Sequence, residues 1–152
     1  MIHVVLVAPE IPGNTGNIGR SCLAAGAHLH LVKPLGFTLD DAKVKRAGLD
    51  YWKHVPLTVH EDLAAAAAAI PGFDRALWFS THATTCFYDA ELPDPAVLIF
   101  GRETKGLGET IRDEQADRLV SLPIASEHVR SLNLANSAAI AMYEVVRRRR
   151  KG

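Results

Sequence analysis

Short apolar runs alternate along the chain with longer stretches of helical period. The runs are "HVVLVA" (3–8), "HLHLV" (28–32), "RALWFS" (75–80), "AVLIFG" (96–101) and "RLVSLP" (118–123). Each is bounded by turn formers and is apolar almost throughout, the pattern of strands covered on both faces. Between most of them lie helical stretches near 15–26, 60–70, 108–114 and 133–150. Strand and helix in alternation predict an α/β fold: a mostly parallel sheet with helices on both faces. No internal repeat or Ser/Gly linker divides the chain, so a single domain over 1–152 is expected.

Two helices have clear signatures. Leu134, Ala138, Met142 and Val145 recur at i, i+4, i+8 and i+11, and Ala135, Ala139 and Ala141 keep the rest of that face small. Small side chains suit close packing against the sheet or against a second subunit. The alanine run 64–69 has a charged start in "HED" and a stop at Pro71-Gly72, so it reads as a helix and not as a linker.

Composition changes the picture little. Seventeen basic residues balance seventeen acidic ones, so bulk charge points to neither nucleic acid nor membrane. The basic residues are unevenly placed, however. "RRRRK" (147–151) ends the chain, as a solvated tail or as a phosphate contact, and Lys43, Lys45 and Arg46 form a stripe upstream of Tyr51 and Trp52. Of the two aromatics beside Lys53, either could stack a base, whereas Trp78 lies in an apolar strand and is expected in the core. Cys22 and Cys86 make neither a CxxC pair nor a disulfide framework, which suits a reducing cytoplasm. Met1 leads directly into a strand-like run, and no stretch is clean enough to span a bilayer, so neither a leader nor a membrane anchor is expected.

Candidate chemistry lies in three segments. "PEIPGNTGNIGR" (9–20) follows the first strand and opens a helix; its Asn and Thr residues could cap that helix, or its free amides could hold an anion within reach of Arg20. "IFGRETKGLG" (99–108) ends a buried strand, where open α/β sheets place ligands. It is not a P-loop, because Leu107 and Gly108 stand where lysine and a hydroxyl residue belong, and Arg102-Glu103 breaks the dinucleotide fingerprint. "LPIASEHVRSLNLANSAAIAMYE" (122–144) crowds Arg130, Ser131, Asn133, Asn136 and Ser137 at a helix start, more polar residues than capping requires. His28 and His30 share one side of a strand but lack a third ligand, so no metal site is expected. No G-x-S-x-G elbow is present, and Cys22 has no local partner for nucleophilic catalysis.

"NTGNIGR", "FGRETKGL" and "LPI…RSLNLANSAAIAMYE", in this order, resemble the three signature motifs of the SPOUT class of RNA methyltransferases. "GFTLDDAKVKRAGLDYW" (36–52) resembles its small TrmL (YibK-like) branch, and the likeness runs from "EIPGNTGN" to "MYEVVR". It implies a deep C-terminal trefoil knot, otherwise rare among folds. It also implies a homodimer, S-adenosylmethionine held in the knotted loops, and methylation of the ribose 2′-OH of the wobble nucleotide (34) of tRNA, leucine tRNA being the expected acceptor. No separate RNA-binding domain, membrane or metal is implied.

Carried over, the family pattern gives Phe79, Gly101, Leu122 and Ser131 to the cofactor, with Thr81, Leu107, Ile124 and Leu132 as neighbours. Arg20, Glu103, Ser131 and Asn133 fall to catalysis, and Arg130, Asn136, Tyr143, Lys43 and Arg46 to RNA. Arg20 would activate the hydroxyl, or bind the adjacent phosphate and stabilise the developing alkoxide. Many relatives carry proline where this chain has Arg102. Competing expectations are the same reaction on ribosomal RNA or another tRNA position, an idle RNA-binding module on this fold, and, least favoured, a nucleotide-binding oxidoreductase.

Overall fold

The computed structural model describes the 152 residues apart from the surroundings of Gly48. Six strands, β1 (Ile2–Val7), β2 (Ala27–Val32), β3 (Leu57–His60), β4 (Leu77–Phe79), β5 (Ala96–Phe100) and β6 (Leu119–Val120), form one sheet in the order β3-β2-β1-β5-β4-β6. Every strand pair is parallel. The helices are α1 (Pro12–Ala25), α2 (Ala42–Gly48), α3 (Leu63–Ala69), α4 (Glu109–Glu114) and α5 (Leu134–Lys151).

The period-two rule assigns the faces. Val4 and Leu6 of β1, Leu98 and Phe100 of β5 and Leu29 and Leu31 of β2 point to one side, where Ile18 and Cys22 of α1 and Ala138, Ala141, Met142 and Val145 of α5 cover them. Val5, Val32, Trp78, Val97 and Ile99 point to the other side, against Ala66 of α3 and Ile70. Trp78 is core, as expected, and Phe73 packs edge-on against it. The apolar stripe of α5 is buried as its spacing required.

Several boundaries differ from the sequence reading. β3 went unseen because "LTVH" is a four-residue edge strand, and its last residue, His60, had been placed in the following helix. That helix starts later, behind Asp62, whose Oδ1 accepts from the Ala65 amide at 2.8 Å. In α2, Val44 is the one fully buried apolar residue and no period shows; Asp41 caps it by accepting from Lys43 N–H.

The basic end is not a loose tail. It is the last turn of α5, and three of its arginines, Arg147 on the Glu144 carboxylate among them, are held within the chain. Arg148 donates to the carbonyls of Phe87, Tyr88 and Ala90 and to the Glu144 carboxylate. Arg149 donates to the Met1 carbonyl and pairs with Asp94. Contacts with Arg147 and then Arg148 hold Glu144 down to about 2.

A histidine row crosses the second face. His28 and His30 do share a side of β2, and His3 of β1 and His60 of β3 join them. His30 sits between His3 Nδ1 and His60 Nε2, 3.0 Å from each, and His28 Nε2 meets Thr58 Oγ1 at 2.8 Å. Among the described residues no cluster has the arrangement of a metal site. A neutral imidazole donates from one nitrogen and accepts at the other, which is what the middle of such a row requires. Burial, then His28, His3 and His60, push His30 down to about 3, and the N-terminal ammonium adds to the pressure on His3.

Because His30 stays neutral when folded, the unfolded chain binds more protons on acidification, and stability drains away as pH falls. The loss should begin near the ordinary value of 6.5 and level off near 3, overlapping only in its lower part the Glu144 contribution, lost between 4.5 and about 2. Chemical denaturation across this range is expected to give a shallower slope above pH 4.5 for His30→Gln; an unchanged slope would exclude the row as its cause.

Candidate functional site

The end of β5 turns back on itself. Arg102 N–H donates to the Gly106 carbonyl at 3.2 Å and Gly106 N–H to the Arg102 carbonyl at 2.8 Å. A proline at 102 would lack the first of these donors. Any Cβ on Gly101 would lie 2.0 Å from the Gly106 carbonyl carbon and 2.2 Å from Leu107 N, so the turn-back requires glycine there.

The turned loop grips the start of α1. Glu103 accepts from Glu10 N–H at 2.8 Å and Ile11 N–H at 3.2 Å. In return the Glu10 carboxylate accepts from Thr104 N–H at 3.0 Å and Thr104 Oγ1–H at 2.7 Å. These bonds, Thr104's above all, hold the Glu10 carboxyl below its ordinary range. The Asn and Thr residues expected to cap α1 do not: the helix opens at Pro12 with no side-chain cap, and Asn14 and Thr15 are buried within it. The anion that meets this helix start is the chain's own Glu103, which favours the positive end of the helix dipole.

At the start of α5, one of the crowded polar residues is the cap. Asn133 Oδ1 accepts from Asn136 N–H at 3.1 Å, while its Nδ2 donates to Asn14 Oδ1 at 3.2 Å. The asparagine pair thus ties α5 to α1.

Around this frame lies a cavity of about 970 Å³. Phe79, Thr81, Gly101, Leu107, Leu122, Ile124, Ser131 and Leu132, the residues assigned to a cofactor from the sequence, all line it, as do Glu103, Arg130 and Asn133. Phe79 is stacked on Phe100, with ring centroids 4.4 Å apart, and Phe87 meets it edge-on. The walls combine apolar side chains with hydroxyl, amide and charged groups, which can take a mid-sized organic ligand that is itself part apolar and part polar. Four cationic side chains, Arg102, Lys105, Arg112 and Arg130, lie on the lining against the single carboxylate of Glu103. A chain of zero net charge therefore concentrates positive charge here.

Arg20 does not reach this cavity. It is exposed on α1 and lines a neighbouring hollow of about 530 Å³ with Asn17, Ser21, Ala135, Asn136 and Ala139. Asn14 and Asn133 line both spaces, so the asparagine pair is the wall between them. Tyr143 is exposed further along α5. Lys43 and Arg46 sit i, i+3 on α2, both exposed and outside both spaces. Sequence reasoning did not single out Glu10 or Arg112, and treated Asn14 only as a cap; a polar residue inside the first turns of a glycine-rich helix was the available signal.

These features have counterparts in known proteins. The chain belongs to the SpoU rRNA methylase family, whose family model matches residues 1–143. A relative from Methylovorus glucosotrophus (strain SIP3-4), named tRNA (cytidine(34)-2'-O)-methyltransferase, is 46% identical, covering 97% of this chain and 95% of the relative. A solved structure described as giving insights into the 2-OH methylation of C/U34 on tRNA superposes with a TM-score of 0.90 at 41% identity, over 100% of this chain and 98% of the other. The SpoU methyltransferase AviRb from Streptomyces viridochromogenes, solved in complex with the cofactor AdoMet, gives a TM-score of 0.86 at 28% identity, over 99% of this chain and 58% of that one.

Glu103→Ala should free the loop from α1. Two backbone amides lose a charged acceptor, which costs about 2 kcal/mol. Thermal unfolding is expected to shift down by about 4–8 °C; an unshifted Tm would mean the clasp contributes nothing to stability.

Proposed function

We propose that this chain transfers a methyl group from S-adenosylmethionine to the ribose 2′-OH of nucleotide 34, cytidine or uridine, of tRNA. The observation that carries the reading is the cavity at the turned-back end of β5, because all eight residues assigned to the cofactor line it. The lining fits that group: Phe79, Leu107, Leu122, Ile124 and Leu132 offer apolar surface for adenine and the thioether arms, and Thr81, Ser131 and the loop amides offer hydrogen bonds. When bound, S-adenosylmethionine supplies an electrophilic methyl on a sulfonium leaving group.

The chain's own residues do the rest. Arg102, Lys105, Arg112 and Arg130 draw the phosphate backbone to the mouth of the cavity. Both carboxylate oxygens of Glu103 are taken by the Glu10 and Ile11 amides just before α1, so Glu103 serves as a positioning group that holds the loop, and not as a free base. Asn133 fixes the wall between the two spaces, and Asn136 lines the Arg20 side. Arg20 acts electrostatically, on the phosphate beside the reacting ribose and on the alkoxide as it develops.

A homodimer belongs to this reading. Ile140 and Tyr143 lie i, i+3 on the outer face of α5 and leave exposed apolar surface there. A trefoil knot belongs to it as well. It is supported by residues 120–121, which bond to Ser80 on one side and to Thr85 and Phe87 on the other before the chain returns to α5. The two cysteines are unpaired, in keeping with the cytoplasm, where tRNA is found.

The test is incubation with labelled S-adenosylmethionine and unmodified tRNA, leucine tRNA first, followed by digestion and mapping. Label at the 2′-O-methyl of nucleotide 34 is expected. Label in ribosomal RNA alone would overturn the substrate, and cofactor binding without transfer to any RNA would point to an idle binding module. Arg20→Lys is expected to lower the transfer rate at least tenfold and leave calorimetric cofactor affinity unchanged, because Arg20 lies outside the larger cavity. Full activity in that variant would remove Arg20 from the mechanism. RNA affinity should fall steeply with salt, and Arg130→Ala should reduce the logarithmic slope by roughly one unit.

A further inference from the structure

Arg20 and its neighbour Gly19 both meet the segment that follows α2. Residues Leu49–His54 form a 3₁₀ turn that lies along α1. Trp52 covers Gly19 so closely that a Cβ there would lie 2.6 Å from the indole Cζ3. Trp52 is thereby half-buried against α1. The preceding residue, Tyr51, is 47% exposed and lies under the Arg20 guanidinium, with Cζ 5.3 Å from the ring centroid. Among the described residues Arg20 has neither a hydrogen bond nor an ion pair, so this ring is what it rests on.

We propose that Tyr51 is a positioning residue for Arg20, holding the guanidinium by the face of its ring so that every N–H edge stays free for RNA. The inference rests on the role given to Arg20 above. Its logic is chemical. A carboxylate would also fix an arginine, but it would occupy two of the five donors and cancel the charge that a phosphate or alkoxide must meet. An aromatic face attracts the cation through its quadrupole and takes up none of the donors in the guanidinium plane. Side-chain freedom is removed from a long, exposed residue before substrate arrives, which is preorganisation. The Trp52–Gly19 contact sets the height of the turn above α1, so the pair of aromatics works as one unit: the second anchors, the first supports.

The measurement is single-turnover methyl transfer at saturating tRNA and cofactor, with cofactor affinity by calorimetry and Tm followed in parallel, for Tyr51→Ala, Tyr51→Leu, Tyr51→Phe and Arg20→Ala. A ring-face role is expected to make Ala and Leu both slow by about tenfold, with cofactor affinity unchanged, and Phe to recover the lost rate. Leu keeps most of the bulk without the quadrupole, so a Leu variant at the wild-type rate would reduce Tyr51 to packing and overturn the proposal. A Phe variant as slow as Ala would assign the effect to the hydroxyl and overturn it too. Full activity in Tyr51→Ala with an inactive Arg20→Ala would sink this inference alone and leave Arg20 in place. Full activity in Arg20→Ala would take down the Arg20 role and Tyr51 with it. If Tyr51→Ala does not fold, the Leu and Phe pair still decides.

Discussion

The architecture of the site depends on one close approach. Chain leaving β5 at Gly101 is pressed against the backbone of Gly106 and Leu107 at a distance no side chain would permit. The Arg102–Gly106 bridge closes the loop, and closure presents Glu103 and Thr104 to Glu10 and Ile11. Without that presentation α1 would begin with unpaired amides, since it lacks a side-chain cap. The same turn therefore shapes the floor of the larger cavity and fixes the helix that carries Arg20. A substitution at Gly101 would disturb both, although Arg20 never touches the loop.

Electrostatics follow from where charges are spent. Glu103, Glu10 and Glu144 are engaged with partners inside the chain, as are Arg148 and Arg149 at the end of α5. What remains at the cavity mouth is Arg102, Lys105, Arg112 and Arg130, and on the α1–α2 side Arg20, Lys43 and Arg46. Neutral bulk composition is thus compatible with a polyanionic substrate, because acids are used up in structure more fully here than bases are. The arginine run shows why sequence position alone misleads. Four consecutive arginines on a helix point in four directions, about 100° apart, and three of them find carbonyls or carboxylates to hold.

Much of the sheet was legible because parallel strands buried on both faces leave continuous apolar runs. β3 was not, since an edge strand of four residues carries too few side chains for a period to show. The α5 stripe was legible at every position because a long helix repeats its signal. The residues assigned to a cofactor came from motif likeness and not from chemistry: no local pattern says that Phe79 and Leu122, 43 positions apart, face one space. The roles of Glu103 and Asn14 were hidden for a related reason. Each is defined by a partner more than 90 residues away, Glu10 and Ile11 for one and Asn133 for the other. The histidine row was half visible, because alternation on β2 can be read locally but its extension into β1 and β3 depends on register.

The division of labour between the two faces explains why the polar residues of this sheet do not compete. On the α1–α5 face, the side chains nearest the strand ends open on the cavities and are backed by Phe79, which stacks on Phe100 and meets Phe87 edge-on. On the opposite face the histidine row crosses β1, β2 and β3, from His3 near the start of β1 to His60 at the end of β3, on strands that lie to one side of β5 and β4. A proton added to the row is therefore felt by the packing of β1, β2 and β3 and not by the cavity lining. Acid sensitivity of the fold and the chemistry of the site are separated by the sheet itself: opposite faces take alternate residues, and the row keeps to β1, β2 and β3 while the larger cavity lies at the ends of β4 and β5.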